Sequence, residues 1–423
     1  LPEPAAPRPG RRAATRAVGL GYDPAEAWGA AKPPIVLTST FVYPSAQAAK
    51  DFHAAFYAPG GADAAAAPDG YIYARLGHPN LTMLETRMAS LDNAQACAAF
   101  CSGMAAITAV CLAHLRPGDS VVHTRPIYSG TETFLTKVAA NLGVAFVAVA
   151  DACDEAQVRG ALAEAAGHGP LSLVLVETPA NPTAALADIG LFRRLADEVA
   201  AGADRRPIVA VDNTFLGPLL QDPLAHGADL TMTALTKYCG GHSDVLAGSV
   251  SGSADLIAPL KALRTVLGTH LDPFGCWLLL RSLESLDVRQ GRAVANARAV
   301  AGFLAGHPKV AAVTFLDFLA PETAAGAVYA RQCGAPGSTF AFEIRGGEAE
   351  AFRLLDALEV LKVAVSLGGS ETLICHPATT THYSIPPERR AAGGVTDGVL
   401  RLSVGLEHPD DLIDDLARGL EAV

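Results

Sequence analysis

Short apolar runs separated by polar, turn-forming stretches fill the middle of the chain. Runs at Ser120–His123, Val144–Val149, Leu171–Glu177, Ile208–Val211 and Ala228–Ala234 read as buried strands. Between them Thr131–Ala140, Glu155–Ala166 and Leu191–Ala201 have the length and patterning of helices. Strands alternating with helices predict a doubly wound, mostly parallel α/β sheet. On the N-terminal side, Pro33–Pro44 alternates apolar and hydroxyl residues and should be extended, and a loop should follow it. Residues 60–70 have the Gly/Ala-rich composition of a flexible insertion, Tyr71–Arg75 reads as extended, and a helix should run to Leu91. Ser102 is placed to cap an apolar helix from Met104 to Leu115. Beyond Asp255 the texture changes, with predicted helices at Ala254–Leu263, Pro273–Ala305, Glu348–Leu358 and Pro409–Leu420. Strands are expected at Val310–Phe315, Ser338–Ile344, Val363–Val365 and Val399–Val404. The expected organisation is an N-terminal arm over residues 1–77, an α/β domain over 78–288 and a smaller α+β domain over 289–423.

Composition narrows the function classes. A chain of 423 residues, half of them hydrophobic and 18% charged, can bury large cores and is not disordered in bulk. A net charge of -11 argues against nucleic acid, which needs a basic footprint. No apolar run approaches the roughly 20 residues that span a bilayer, so a soluble, cytoplasmic protein is expected. The eight cysteines are scattered, and Cys97 and Cys101 have no second pair at finger-like spacing. They read as small thiols in a reduced compartment, with no metal site. The first sixteen residues, rich in Pro, Ala and Arg, read as a disordered tail or a targeting remnant outside the fold. No GxGxxG turn follows a strand, which argues against a nicotinamide-binding fold.

Candidate chemistry collects at predicted strand ends, where ligands of open α/β sheets bind. Lys237 follows the run Ala228–Ala234 and precedes a turn at Gly240–Gly241, as a Schiff-base lysine for pyridoxal phosphate would; a solvated surface lysine is the alternative. Ser102 and Gly103 open a helix whose free N–H groups suit an anion, although any capped helix has that form. Tyr128 and Asn181 follow strands, and Asp212 ends one. A carboxylate there is costly to bury without a cation, a need that a pyridinium N–H or a loop salt bridge would meet. Arg401 lies inside an apolar strand and must find an anion, either a substrate carboxylate or an internal acid. Ser366 falls at another strand end. Tyr73 and Arg75, two apart in an extended segment, share a face and could bind one phosphate or pack at a subunit surface.

Taken together, and in this order along the chain, these residues resemble the Cys/Met-metabolism family of pyridoxal-phosphate enzymes, from about Thr15 to Leu420. The resemblance implies a type I, aspartate-aminotransferase-like fold. It also implies pyridoxal 5'-phosphate as cofactor, an amino-acid substrate, and a homotetramer built as a dimer of dimers with intersubunit active sites. By resemblance, Lys237 carries the cofactor, Asp212 partners its ring nitrogen, Tyr128 stacks on the ring and Asn181 lies near its hydroxyl. Ser102, Gly103, Met104 and Thr236 match the phosphate cup, and Tyr73 and Arg75 the pair reaching a neighbouring subunit's phosphate. Arg401 and Ser366 match the substrate-carboxylate clamp, with Asn181, Val365 and Thr381 lining the substrate side. One departure concerns the cup: the serine common three residues before the lysine is Ala234 here.

Within the family, Val365 stands where cystathionine enzymes typically have Glu, which leans the expectation towards methionine γ-lyase-type α,γ-elimination. Gly21-Tyr22-Asp23-Pro24 points the same way. Against it, the cysteine of those enzymes two residues after the stacking tyrosine is Gly130, and their Lys-Asp pair falls on Arg264 and Thr265. The expected chemistry is proton transfer at Cα by Lys237 and acid–base help from Tyr128 at the γ leaving group. γ-Substitution, as in cystathionine γ-synthase or an O-acylhomoserine sulfhydrylase, and cystathionine γ- or β-lyase activity are the alternatives. A non-catalytic binding paralogue is a further one.

Overall fold

The computed structural model describes residues 11–57 and 70–423. Residues 1–10 of the expected tail, and the expected insertion at 60–70 apart from Gly70, lie outside the described residues. The rest of the expected tail is not a tail. Helix α1 (Ala13–Gly19) places Ala17 in the core, and Arg16 donates to the Ser90 carbonyl. The segment expected as a loop after Pro44 holds α2 (Ala46–Phe56), whose Ser45 cap accepts from the Ala48 N–H.

Helix α3 (Pro79–Leu91) leads into β1 (Ala96–Phe100), α4 (Gly103–His114) and β2 (Ser120–Thr124). Helix α5 (Ser129–Phe134) runs on through a π-type turn at Leu135–Ala139, so the expected single helix is irregular. There follow β3 (Ala145–Val149), α6 (Glu155–His168), β4 (Leu171–Glu177), α7 (Ile189–Val199), β5 (Ile208–Asp212), the short α8 (Gly217–Leu220), β6 (Leu230–Thr233) and β7 (Gly248–Gly252). These seven strands form one sheet in the order β1-β7-β6-β5-β4-β2-β3, with β7 antiparallel to both β1 and β6 and the others parallel. Alternate residues divide the sheet between two cores. Ala98, Phe100, Leu230, Met232 and Val250 face one, and Cys97 and Ala99 face the other.

After α9 (Ala254–Leu267) the expected long helix is two, α10 (Pro273–Leu283) and α11 (Leu286–Gly306). They are broken where Ser285 leaves helical geometry and its hydroxyl bonds the Ser282 carbonyl. A second sheet follows: β8 (Val310–Thr314), α12 (Ala324–Gln332), β9 (Thr339–Ile344), α13 (Glu348–Asp356), β10 (Lys362–Val363), β11 (Leu373–Cys375), α14 (Pro387–Ala392), β12 (Val399–Ser403) and α15 (Pro409–Glu421). Its order is β10-β11-β12-β9-β8, antiparallel apart from β10 with β11. Here α11, α13 and α15 bury Val300, Leu304, Leu354, Leu412 and Leu416 against Phe340, Phe342 and Leu400. Among the described residues no helix is long and apolar enough to cross a membrane.

Candidate active site

Parallel pairing aligns the carboxyl ends of β4, β5 and β6: Glu177 is level with Asp212, and Asp212 with Met232. Lys237 lies in the turn after β6, held by buried Leu235 and Tyr238 on either side. Its ammonium donates to Ser366 Oγ at 2.8 Å, a residue of the second sheet's loops. Ser366 has φ +84°, a left-handed conformation unusual for a residue with a Cβ. Arg401, buried on β12, donates to Asn181 Oδ1 at 2.9 Å and to the Ser366 carbonyl at 2.7 Å. Its Nε is buried with no partner among the described residues. Burial, and then the Arg401 charge, lower the Lys237 pKa from 10.5 to about 8.

At the other end of the site, Ser102 caps α4, its Oγ accepting from the Ala105 N–H. Gly103 and Met104 are the first residues of α4, where N–H groups lack a carbonyl four residues back. A Cβ on Gly103 would come 2.9 Å from Ala234 Cβ, so the helix start fits tightly against residue 234. Thr236, expected in the phosphate cup, uses its hydroxyl on the backbone of Ala247, donating to its carbonyl and accepting from its N–H. The tyrosine ring of Tyr128, 41% exposed, lies across Gly130 beside the Met104 sulfur.

Two carboxylates sit at the floor. Asp212 Oδ1 accepts from the N–H and the hydroxyl of Thr214, and Thr214 Oγ1 accepts from the Ala234 N–H. Burial raises the Asp212 pKa against these hydrogen bonds. Neither Glu177 nor Thr214 was expected from the sequence. Glu177 is buried, accepts from the N–H groups of Tyr128 and Asn181 at 2.6 and 2.7 Å, and is pushed up to about 8 by burial and by Asp212.

Other expected residues lie further off within the chain. The segment Tyr71–Arg75 is not extended throughout; it bridges Thr40 at Tyr73 and then turns, with Leu76 N–H on the Tyr73 carbonyl. Tyr73 and Arg75 are exposed; the Arg75 guanidinium lies 5.9 Å from the Tyr73 ring centre and donates to the Thr265 carbonyl. Thr381 bonds His382 rather than Arg401 itself. His382 is lowered to about 4 by burial and by Arg401, a neighbour the sequence did not single out. Val365 is exposed beside Ser366. Arg264 turns inward onto Glu85 and the Ala99 carbonyl.

Comparison with known proteins gives the same answer across the whole chain. A family model described as Cys/Met metabolism PLP-dependent enzyme matches residues 14–421. The L-methionine gamma-lyase of Pseudomonas putida is 39% identical over 414 residues, covering 97% of each chain. Cystathionine gamma-lyase of Mus musculus is 38% identical over 415 residues, covering 97% of this chain and 95% of that one. A solved cystathionine gamma synthase from Xanthomonas oryzae pv. oryzae, in complex with cystathionine, superposes with TM-score 0.86 at 37% identity over 98% of both chains. The molecule is therefore a fold-type I enzyme that uses pyridoxal 5'-phosphate. It belongs to the Cys/Met-metabolism family and acts on sulfur amino acids by γ-elimination or γ-substitution chemistry. The site fits that cofactor: half-buried Asp212 has no cation partner among the described residues, the α4 start presents free N–H groups, and the Lys237 amine has a lowered pKa.

Proposed function

We propose that this enzyme works at the γ-carbon of a trans-sulfuration substrate, either cystathionine or an activated homoserine joined to cysteine, in preference to methionine. The observation that carries this reading is at Tyr128. A Cβ at Gly130 would lie 2.6 Å from the tyrosine ring and 2.9 Å from Met104 Sδ, so the cysteine expected there in methionine γ-lyases would require the Tyr128 or Met104 side chain to move. Arg264, at the position of their Lys-Asp pair, is committed to Glu85. The likeness to a cystathionine gamma synthase with cystathionine bound adds support. Methionine elimination is the second reading, favoured by exposed, apolar Val365 beside Ser366 and by the Pseudomonas putida relative.

Ser102, Gly103 and Met104 would hold the cofactor phosphate, Tyr128 the ring face, Asp212 the ring nitrogen and Lys237 the covalent link. Pyridoxal phosphate, when bound, supplies an electron sink for the substrate's α-carbon. Arg401 would take the substrate carboxylate on the N–H groups that its bonds to Asn181 and Ser366 leave over. Lys237, once substrate has released it from that covalent link, would be the amine placed to take the Cα proton, its pKa lowered to about 8 by burial and Arg401. The Tyr128 hydroxyl gives a proton to the departing γ-group. Release with water yields a thiol, 2-oxobutanoate and ammonia; capture by an added thiol yields the γ-replacement product. The assembly is a cytoplasmic homotetramer in which Tyr73 and Arg75, exposed on their own chain, reach a neighbouring subunit's phosphate.

The test is the product profile by mass spectrometry with L-methionine, L-cystathionine, and O-acetyl- and O-succinylhomoserine, each with and without L-cysteine. Cystathionine cleavage, or thioether formation from an activated homoserine, should exceed methionine turnover in kcat/KM. Methanethiol and 2-oxobutanoate from methionine at equal or higher kcat/KM would overturn the preference.

A further inference from the structure

Glu177 holds the backbones, not the side chains, of two residues that would meet cofactor and substrate, Tyr128 and Asn181. Its two carboxylate oxygens are divided between two loops: Oε2 accepts from the Tyr128 N–H at 2.6 Å and Oε1 from the Asn181 N–H at 2.7 Å. Its own N–H donates to Thr124 Oγ1 on β2 at 3.0 Å, and its strand position is level with Asp212. Asn181 in turn accepts from Arg401, Arg401 donates to the Ser366 carbonyl, and the Ser366 hydroxyl accepts from Lys237. One hydrogen-bonded chain thus runs from the Tyr128 backbone to the Lys237 amine.

We propose that Glu177 is a positioning residue which, by holding the N–H groups of Tyr128 and Asn181 together, sets the ring-facing tyrosine and the carboxylate-binding arginine as one unit. The inference rests on the reading of this site as the cofactor and substrate site. Only a carboxylate does this work. An amide of the same shape has one acceptor oxygen and would aim its NH2 group at the second backbone donor. Aspartate keeps both oxygens on a shorter arm. A cavity of about 10 Å³, room for roughly one water, borders both Glu177 and Asp212, so the two acids share one buried pocket.

Burial and the neighbouring Asp212 push the Glu177 pKa up, while the two N–H donors favour the charged form that accepts from both.

The experiment compares wild-type holoenzyme with Glu177→Gln and Glu177→Asp. Expected for Glu177→Gln are a tenfold or greater rise in substrate KM and a midpoint for the pH titration of the cofactor's visible band shifted to lower pH. Glu177→Asp should raise KM in the same direction by less, and it decides the question alone if the glutamine variant does not fold. A folded variant with lowered stability but wild-type KM and band midpoint would make Glu177 merely structural and overturn the proposal. Failure of the underlying reading would look different, because the wild type itself would then lack the visible band.

Discussion

Ala234 stands where the family commonly has a serine, at the end of the site proposed for the cofactor phosphate. Its Cβ lies against the start of α4, and its N–H is already taken by Thr214 Oγ1. Thr233 does not compensate: it is buried on the opposite face of β6, and its hydroxyl has no partner among the described residues. A serine at 234 would place a donor beside the Gly103 N–H. Ala234→Ser is expected to tighten pyridoxal phosphate about tenfold, on the order of 1.4 kcal/mol for a hydrogen bond to a charged group. Titration of the apoenzyme with cofactor checks this, and unchanged affinity would mean the phosphate lies elsewhere. The residues legible beforehand, Lys237, Asp212, Tyr128, Ser366 and Arg401, are polar groups that interrupt or end apolar runs. Glu177 ends such a run too, but its partners are backbone N–H groups of two loops, and backbone donors leave no mark in a sequence. Thr236 likewise has its hydroxyl on a backbone, that of Ala247 just before β7, a partner that no sequence pattern marks.

Helices α3 and α9 are joined through β1 by a buried acid. Glu85 accepts from the Ala99 N–H at 2.9 Å and pairs with Arg264 and, at 3.2 Å, with Lys261. Burial raises its pKa but Arg264 and Lys261 outweigh that, and the net shift is downward. Glu85→Gln takes the counter-charge from two buried cations, a change that costs about 3–5 kcal/mol. The expected readout is a lower midpoint in urea denaturation, and a change within experimental error would show that the amide satisfies the same groups. Long apolar strands such as β4 were plain in the sequence because continuous Leu and Val admit little else. β1 and β7 were not, because Ala, Ser and Gly carry weak strand preference and owe their state to neighbours on both sides. The break between α10 and α11 was hidden for the converse reason: helical residues continue through it, and only one serine's geometry departs.

Tyr73 and Arg75 show what a single chain leaves open. Both side chains are exposed, the Arg75 guanidinium near the Tyr73 ring and, among the described residues, hydrogen-bonded to the Thr265 carbonyl. If they complete a neighbour's phosphate site, Arg75→Ala should weaken cofactor retention by tenfold or more while the isolated fold keeps its thermal midpoint. Equilibrium dialysis of the holoenzyme reads this directly, and wild-type retention would remove Arg75 from the site. The junction of the two sheets depends instead on Ser366, which receives Lys237 on its hydroxyl and Arg401 on its carbonyl while held at φ +84°. A left-handed serine costs the fold on the order of 1 kcal/mol that glycine would not. Mutation alone would favour glycine there, so the serine persists only while something selects for its hydroxyl. In a lineage of this gene released from its reaction, position 366 would be among the first to relax. Its side chain is thus a gauge of whether a given descendant is still an enzyme.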